Sequence, residues 1–207
     1  MPFVGHYAGA VTDERPSLRD RKKDATRQLI EDVAWDLFGT QGFDATTVQQ
    51  IAEQANVAPR TFFRYFPTKE SVLYPELDGL LADLATAFAA RPAGEPAMVA
   101  MLNAFDTVNQ EIGADADRQL ERHELLRRSA AGTTSTYFYD RIAAAVAAMI
   151  RDRHRDEPEA DTMARLVAGL VGTVMTVATE RWLAHGGSSS IDDEARRCTE
   201  ILRSLMV

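Results

Sequence analysis

The sequence predicts an all-α protein with two domains and nine helices. Alanine, the strongest helix former, contributes 32 of the 207 residues, whereas glycine and proline together contribute only 20. Apolar residues recur at three- and four-residue spacing, which is the period of amphipathic helices. The predicted helices span approximately 17–40, 48–55, 59–66, 68–91, 95–112, 115–130, 134–154, 158–185 and 191–206.

Local signals delimit the first three helices. Gly42 ends the first, and Thr47 followed by Gln50 forms a capping-box pattern that begins the second. Asn56 tolerates the left-handed conformation in which a helix can end, and Pro59 suits the first turn of the third helix. We therefore predict two short helices joined by a tight turn.

The later helices are longer and more apolar. The fourth begins near Thr68 and contains Pro75 within its first two turns, where proline would bend it. The segment 162–183 is apolar on nearly all sides and must be covered on two of them. Together with the apolar stripe of the last helix, this spare surface predicts a seam for self-association.

The composition indicates the cellular compartment of the protein. Its one cysteine, Cys198, excludes an internal disulfide and favours a reducing cytoplasm. The first residues lack the pattern of a secretory signal, and the longest apolar run, about 13 residues, is shorter than a bilayer span. We therefore expect a cytoplasmic protein without a membrane partner. The net charge of −8 is uneven, because residues 76–207 carry −7 while residues 18–75 are neutral.

Residues 46–73 carry the functional signal. Two short helices and a tight turn form a helix-turn-helix, whose second helix enters the DNA major groove. That helix offers donors and apolar groups for bases and phosphates, while Phe62 and Phe66 anchor it to the core. Thr47 and Lys69 lie at helix starts, where phosphates bind. The candidate DNA-contacting residues are Thr47, Gln49, Arg60, Thr61, Phe63, Arg64, Tyr65 and Lys69.

The same region carries a series of motifs at fixed spacing. They are Leu37-Phe38-Gly39-Thr40-Gln41-Gly42-Phe43, Thr46-Thr47-Val48, Ile51-Ala52, Ala55-Asn56-Val57 and Thr61-Phe62-Phe63-Arg64-Tyr65-Phe66-Pro67-Thr68-Lys69. With these motifs, residues 18–75 resemble the DNA-binding domain of the tetracycline-repressor (TetR) family. Asn56 departs from the usual glycine, and Ala58-Pro59 departs from a frequent capping serine.

The resemblance implies a homodimeric transcriptional regulator, usually a repressor, on a palindromic operator. In such proteins the C-terminal helices bind a small molecule and reset the spacing of the two helix-turn-helix units. The recognition helix is similar to that of mycofactocin-system regulators, which implies an acyl-CoA-like effector. We accordingly expect a flexible arm at 1–16, a DNA-binding domain at 17–67 and a ligand-binding and dimerisation domain at 68–207, with the fourth helix as the lever.

The C-terminal domain offers candidates for two surfaces, although an aromatic or Met on an amphipathic helix is more often simply core. Candidate ligand contacts are Phe88, Met101, Phe105, His123, Tyr137, Phe138 and Met175. Candidate dimer contacts are Val167, Val171, Val174, Trp182, Cys198, Leu202 and Leu205.

The competing interpretation is a helical small-molecule carrier or protein-interaction module in which the helix-turn-helix serves only for packing. An enzyme is not expected, because the sequence has no nucleophile elbow, phosphate-binding glycine loop or His pair at metal spacing. His154, Asp156 and Glu157 fit a solvated helix end better than a metal site. We therefore expect neither a cofactor nor a metal.

Overall fold

The computed structural model describes residues 17–109, 125, 133–186 and 190–205. Within these ranges the protein is all-helical, which confirms the predicted fold class. The predicted arm at 1–16 and most of the predicted helix at 115–130 lie outside the described residues. The elements are α1 (Leu18–Gln41), α2 (Val48–Gln54), α3 (Pro59–Tyr65), a 3₁₀ turn (Glu70–Leu73), α4 (Leu77–Ala89), α5 (Ala97–Asn109), α6 (Thr133–Arg153), α7 (Ala160–Ala184) and α8 (Ile191–Leu205).

The predicted signals around α2 and α3 are confirmed. The Thr47 hydroxyl accepts from the Gln50 N–H at 3.2 Å, and the Gln50 side chain accepts from the Thr47 N–H at 2.8 Å. This reciprocal pair is a capping box and satisfies two N–H groups. Asn56 has a φ of 53°, which ends α2 and turns the chain toward Pro59 at the first turn of α3.

The prediction of one continuous helix at 68–91 is wrong. The first part of this segment forms a 3₁₀ turn, and the separate helix α4 begins only at Leu77. Proline lacks an N–H and disfavours helical geometry in the preceding residue, so Pro75 breaks the helix instead of bending it. Tyr74 accordingly leaves the helical region with φ −133° and ψ 59°. The Thr68 hydroxyl accepts a hydrogen bond from the Ser71 N–H at 3.2 Å and so orders the start of this turn.

One apolar core connects the N-terminal helices with the rest of the chain. It extends from Ile30 and Phe38 in α1 through Leu84 in α4 to Val171 in α7. The core is therefore continuous across residue 67, where the sequence predicts a domain boundary. Helix α7 packs between α6 and α8, and α4 packs against α5.

Ion pairs fix the last helix. Arg181 of α7 donates to the buried carboxylate of Glu194 at 2.9 Å. At the other end of α8, Arg203 donates to Asp106 of α5 at 2.7 Å and to the side-chain oxygen of Asn103. Since these contacts join α8 to both α5 and α7, they set its orientation on the domain.

Helix α7 contains the longest apolar run of the sequence. The helix is longer than that run, which by itself is too short to span a bilayer. By length and composition alone, this one helix among the described residues could cross a membrane, with a mean hydropathy of 1.4 over 18 residues. Only 28% of that window is buried inside the chain. The core helix of a soluble protein passes the same test, and its open side is described below.

Candidate nucleic-acid interface

Helices α2 and α3 form a helix-turn-helix, and α3 has one buried side and one exposed side. Phe62 of α3 and Phe66, directly after it, are buried with ring centroids 5.8 Å apart, and they attach α3 to the core. On the opposite side, Arg60, Phe63 and Arg64 are exposed. The four-residue spacing of the buried rings thus presents the other side chains to an incoming partner.

The structure brings the predicted DNA-contacting residues together on this unit. Thr47, Gln49, Arg60, Phe63 and Arg64 are exposed. The three remaining predicted contacts are half-buried, and they are Thr61, Tyr65 and Lys69. DNA contact by each of these eight residues stays a prediction.

Helix α3 has two basic residues and no acidic one. The Arg64 guanidinium lies 4.9 Å from the ring of Tyr65 and donates to its hydroxyl at 3.2 Å. This contact restricts a long side chain that is otherwise free to move, and so lowers the entropy lost when Arg64 meets a partner.

Lys69 has a structural role that the sequence did not predict. Its ammonium donates to the main-chain oxygens of Phe43 and Thr46 at 2.7 and 2.8 Å, and it lies 4.1 Å from the Phe43 ring. Burial lowers the pKa of Lys69, while the nearby carboxylates of Glu70 and Asp44 act in the opposite direction. Two of its three donors therefore brace the entry to α2, and phosphate contact by Lys69 stays a prediction.

A second unpredicted contact joins the helix-turn-helix to the remaining helices. The ring of Tyr74 stacks on Phe138 of α6 with centroids 4.7 Å apart, and the ring of Tyr137 lies 6.4 Å away. The helix break at Pro75 was the signal in the sequence, because it allows Tyr74 to turn toward α6. Movement at the start of α6 would therefore press on the segment that follows α3.

The predicted ligand contacts lie in or against the common core, except for His123, which lies outside the described residues. Phe88, Met101 and Phe105 are buried in it. Tyr137, Phe138 and Met175 are partly buried and pack against it. All six therefore belong to one connected core, while ligand contact stays a prediction.

The predicted dimer contacts divide into two groups. Four of them are buried within the chain itself. Val167, Val171 and Trp182 lie on a side of α7 that faces neighbouring helices, and Cys198 of α8 packs with Ala178 and Ala195. Val174 and Leu202 are half-buried, whereas Leu205 is 77% exposed.

Helix α7 also carries apolar side chains that are exposed to solvent. Leu166 is 63% exposed, Leu170 is 40% exposed and Val177 is 39% exposed. On α8, Ile201 and Leu205 are also exposed. Sequence periodicity identified both stripes of α7 but not which one faces solvent.

The residues that the structure describes contain no group of three or more His, Cys, Asp or Glu side chains that could hold a metal ion. His154 pairs instead with Glu157 at 2.7 Å, in the turn that follows α6. The contact belongs to the charged end of α6.

Two family models match the chain. Residues 30–73 match the model of bacterial regulatory proteins of the tetR family, and residues 95–206 match the model of the MftR C-terminal domain. The second match alone covers more than half of the chain. The first match ends just before Tyr74 and the second begins after α4, so neither of these two models covers α4.

Curated relatives agree with these models. The chain is 42% identical over 110 residues to the HTH-type transcriptional regulator TcmR of Streptomyces glaucescens, covering 53% of this chain and 47% of that protein. It is 34% identical over 93 residues to a protein of Mycobacterium tuberculosis named as the mycofactocin biosynthesis transcriptional regulator MftR, covering 42% and 46%. The matches thus span about half the length of these two relatives.

A solved structure shares the fold. The SmeT–triclosan complex superposes with a TM-score of 0.52 at 17% identity, covering 86% of this chain and 89% of that chain. The named relatives are regulators and not enzymes. By its two family matches, the chain belongs to the TetR family of bacterial regulatory proteins and carries a C-terminal domain of the MftR type.

Proposed function

We propose that the protein is a cytoplasmic, homodimeric, sequence-specific DNA-binding repressor. In this proposal it leaves a palindromic operator when a small hydrophobic or acyl-CoA-like effector binds. The observation that carries the proposal is the exposed face of α3, where Arg60, Phe63 and Arg64 project from a helix anchored by buried aromatic rings. Guanidinium groups on an exposed recognition helix suit base edges and phosphates.

Charge distribution supports DNA as the partner. The chain carries a net charge of −8, yet residues 18–75 are neutral and α3 is positive. A duplex approaching this end meets the basic helix, while the acidic helices lie elsewhere in the chain. The overall acidity therefore does not oppose a localised DNA contact.

The exposed stripe of α7 supports self-association. Leu166, Leu170 and Val177 lie on a helix whose opposite stripe is already buried. A second copy would cover these side chains with an identical face, as two-fold symmetry requires. Dimerisation would also provide two recognition helices for the two halves of a palindrome.

The contact between Tyr74 and Phe138 supports control by an effector. A ligand among the aromatic and Met side chains of the core would displace the start of α6. The stacked rings of Phe138 and Tyr74 would transmit this displacement to the segment after α3. An effector that favours the DNA-incompetent dimer by ~3 kcal/mol would change operator affinity about a hundredfold. The recognition helix resembles that of mycofactocin-system regulators, which implies an acyl-CoA-like effector, so an acyl-CoA ester is the first compound to test.

The test is selection of bound sequences from a random duplex library by the purified chain, followed by fluorescence-anisotropy titration of the selected duplex. A palindrome with salt-dependent affinity is expected. Arg64→Ala should weaken binding at least tenfold without loss of helicity, whereas Arg155→Ala, an exposed arginine beyond α6, should not.

Effector control is tested on the same duplex by adding acyl-CoA esters of increasing chain length. Release by one ester and reciprocal weakening of ester binding by DNA are expected. Ester binding without enrichment of any duplex would instead support a small-molecule carrier.

A further inference from the structure

Phe63 has an unusual position for an aromatic side chain. Of the aromatic residues that the structure describes, it alone is exposed, with 54% of its surface open to solvent. Its neighbour Phe62 is fully buried, so the core of the domain does not require a second ring at this point. A single exposed apolar side chain is ordinary on a protein surface, but this ring lies on the face of α3 that the helix-turn-helix leaves open to a partner.

The ring also contacts a buried neighbour on its inner side. The centroids of Phe62 and Phe63 are 5.5 Å apart and the ring planes meet at 85°, an edge-to-face arrangement. Since Phe62 cannot move without disturbing the core, it supports Phe63 from behind. The phenyl group is therefore presented to a partner at little cost in conformational entropy.

Its neighbours indicate what kind of partner would fit. Arg60 and Arg64 are also exposed on α3, so the phenyl group shares the open face of the helix with two arginine side chains. An apolar protein groove that covered the ring would also remove water from both charges, which is costly without anionic partners. A DNA major groove offers phosphates and base acceptors to the arginines, and its one apolar group is the C5 methyl of thymine.

We propose that Phe63 is a specificity-determining residue that recognises thymine through its C5 methyl group. This inference rests on the proposed function, because it requires that α3 enters the major groove. It adds that each operator half-site contains one thymine whose methyl group contacts the Phe63 ring. Arg60 and Arg64 would then contact bases or phosphates near that thymine.

The experiment uses the full chain and its selected operator. Each thymine is replaced in turn by deoxyuridine, symmetrically in both half-sites, which removes only the methyl group. Wild-type affinity should fall roughly threefold to tenfold per half-site at one position and remain unchanged at the others. Phe63→Ala should bind the thymine and uracil duplexes equally, whereas Phe63→Leu should retain part of the preference.

Leu29→Ala is the matched control, because it removes an exposed apolar side chain from α1 and should keep full sensitivity to uracil. Operator binding that tolerates uracil at every position would overturn the inference while leaving the proposed function intact. Persistence of the uracil effect in Phe63→Ala would also overturn it. Failure to enrich any duplex would overturn both proposals.

Discussion

The guanidinium group of Arg27 donates a hydrogen bond of 2.6 Å to the main-chain oxygen of Pro75. The same group lies 5.1 Å from the ring of Phe66, at the end of α3. One side chain of α1 therefore holds both the recognition helix and the segment that leads into α4. Arg27 therefore has a structural role within the N-terminal helices.

Arg27→Met should lower the free energy of unfolding by about 2 kcal/mol, because it removes a charged donor and a cation–π contact while keeping the aliphatic stem. Urea denaturation followed by circular dichroism measures this. Lys23→Met, on the exposed part of α1, is the matched control and should change stability by less than about 0.5 kcal/mol. Equal effects of the two changes would contradict the role assigned to Arg27.

Thr47→Ala should destabilise the chain by about 1 kcal/mol, because the capping box at the start of α2 loses its hydroxyl acceptor. Thr47→Ser keeps that acceptor and should stay close to the wild type. Urea unfolding of the three proteins compares them directly. Indistinguishable midpoints would show that the cap contributes nothing.

Asn56→Ala should cost about 1 kcal/mol, because φ is 53° at this position and a Cβ without a polar side chain is disfavoured there. Asn56→Gly should be close to neutral, since glycine adopts this conformation freely. Thermal unfolding of the three proteins tests the order. A more stable alanine variant would contradict the expectation.

Leu166→Glu should convert the proposed dimer into a folded monomer, because the side chain is 63% exposed and the helix itself does not need it. Sedimentation velocity gives the mass, and circular dichroism verifies the helices. Leu29→Glu, at an exposed leucine of α1, should remain dimeric. Val171→Glu should unfold the chain, since it places a carboxylate in the core.

Glu194→Gln should change the response to acid. The hydrogen bond from Arg181 lowers the pKa of Glu194, and the charges of Arg181, Arg197 and His185 act in the same direction. A carboxyl with a lowered pKa in the folded state adds stability above its unfolded pKa and loses it as the pH falls through the lowered value. The variant should therefore be less stable at neutral pH and lose less stability on acidification.

Urea midpoints measured from neutral pH down to about pH 3 test this expectation. Glu200→Gln is the control, because Glu200 is an exposed acid on the same helix. If both variants follow the wild-type slope, the pair of Arg181 and Glu194 does not govern acid stability.

The sequence by itself determined the helical class, the capping box at Thr47, the left-handed Asn56 and the helix-turn-helix. These features depend on residues a few positions apart, so their physical causes are local. The same local logic assigned Phe62 and Phe66 to the core, but it left open whether Phe63 contacts DNA or packs against the neighbouring helix. It overestimated the fourth helix, because apolar periodicity continued through Pro75 while the backbone could not.

Only the tertiary structure decided which neighbours those helices meet. A period of 3.6 residues defines two apolar stripes on α7, yet the positions of α6 and α8 determine that Val171 is buried and Leu166 exposed. Likewise, Arg27 and Lys69 carry charges that could bind phosphates. Their hydrogen bonds go instead to main-chain carbonyl groups 48 and 26 residues away along the chain. Such long-range contacts arise from packing, which no local pattern specifies.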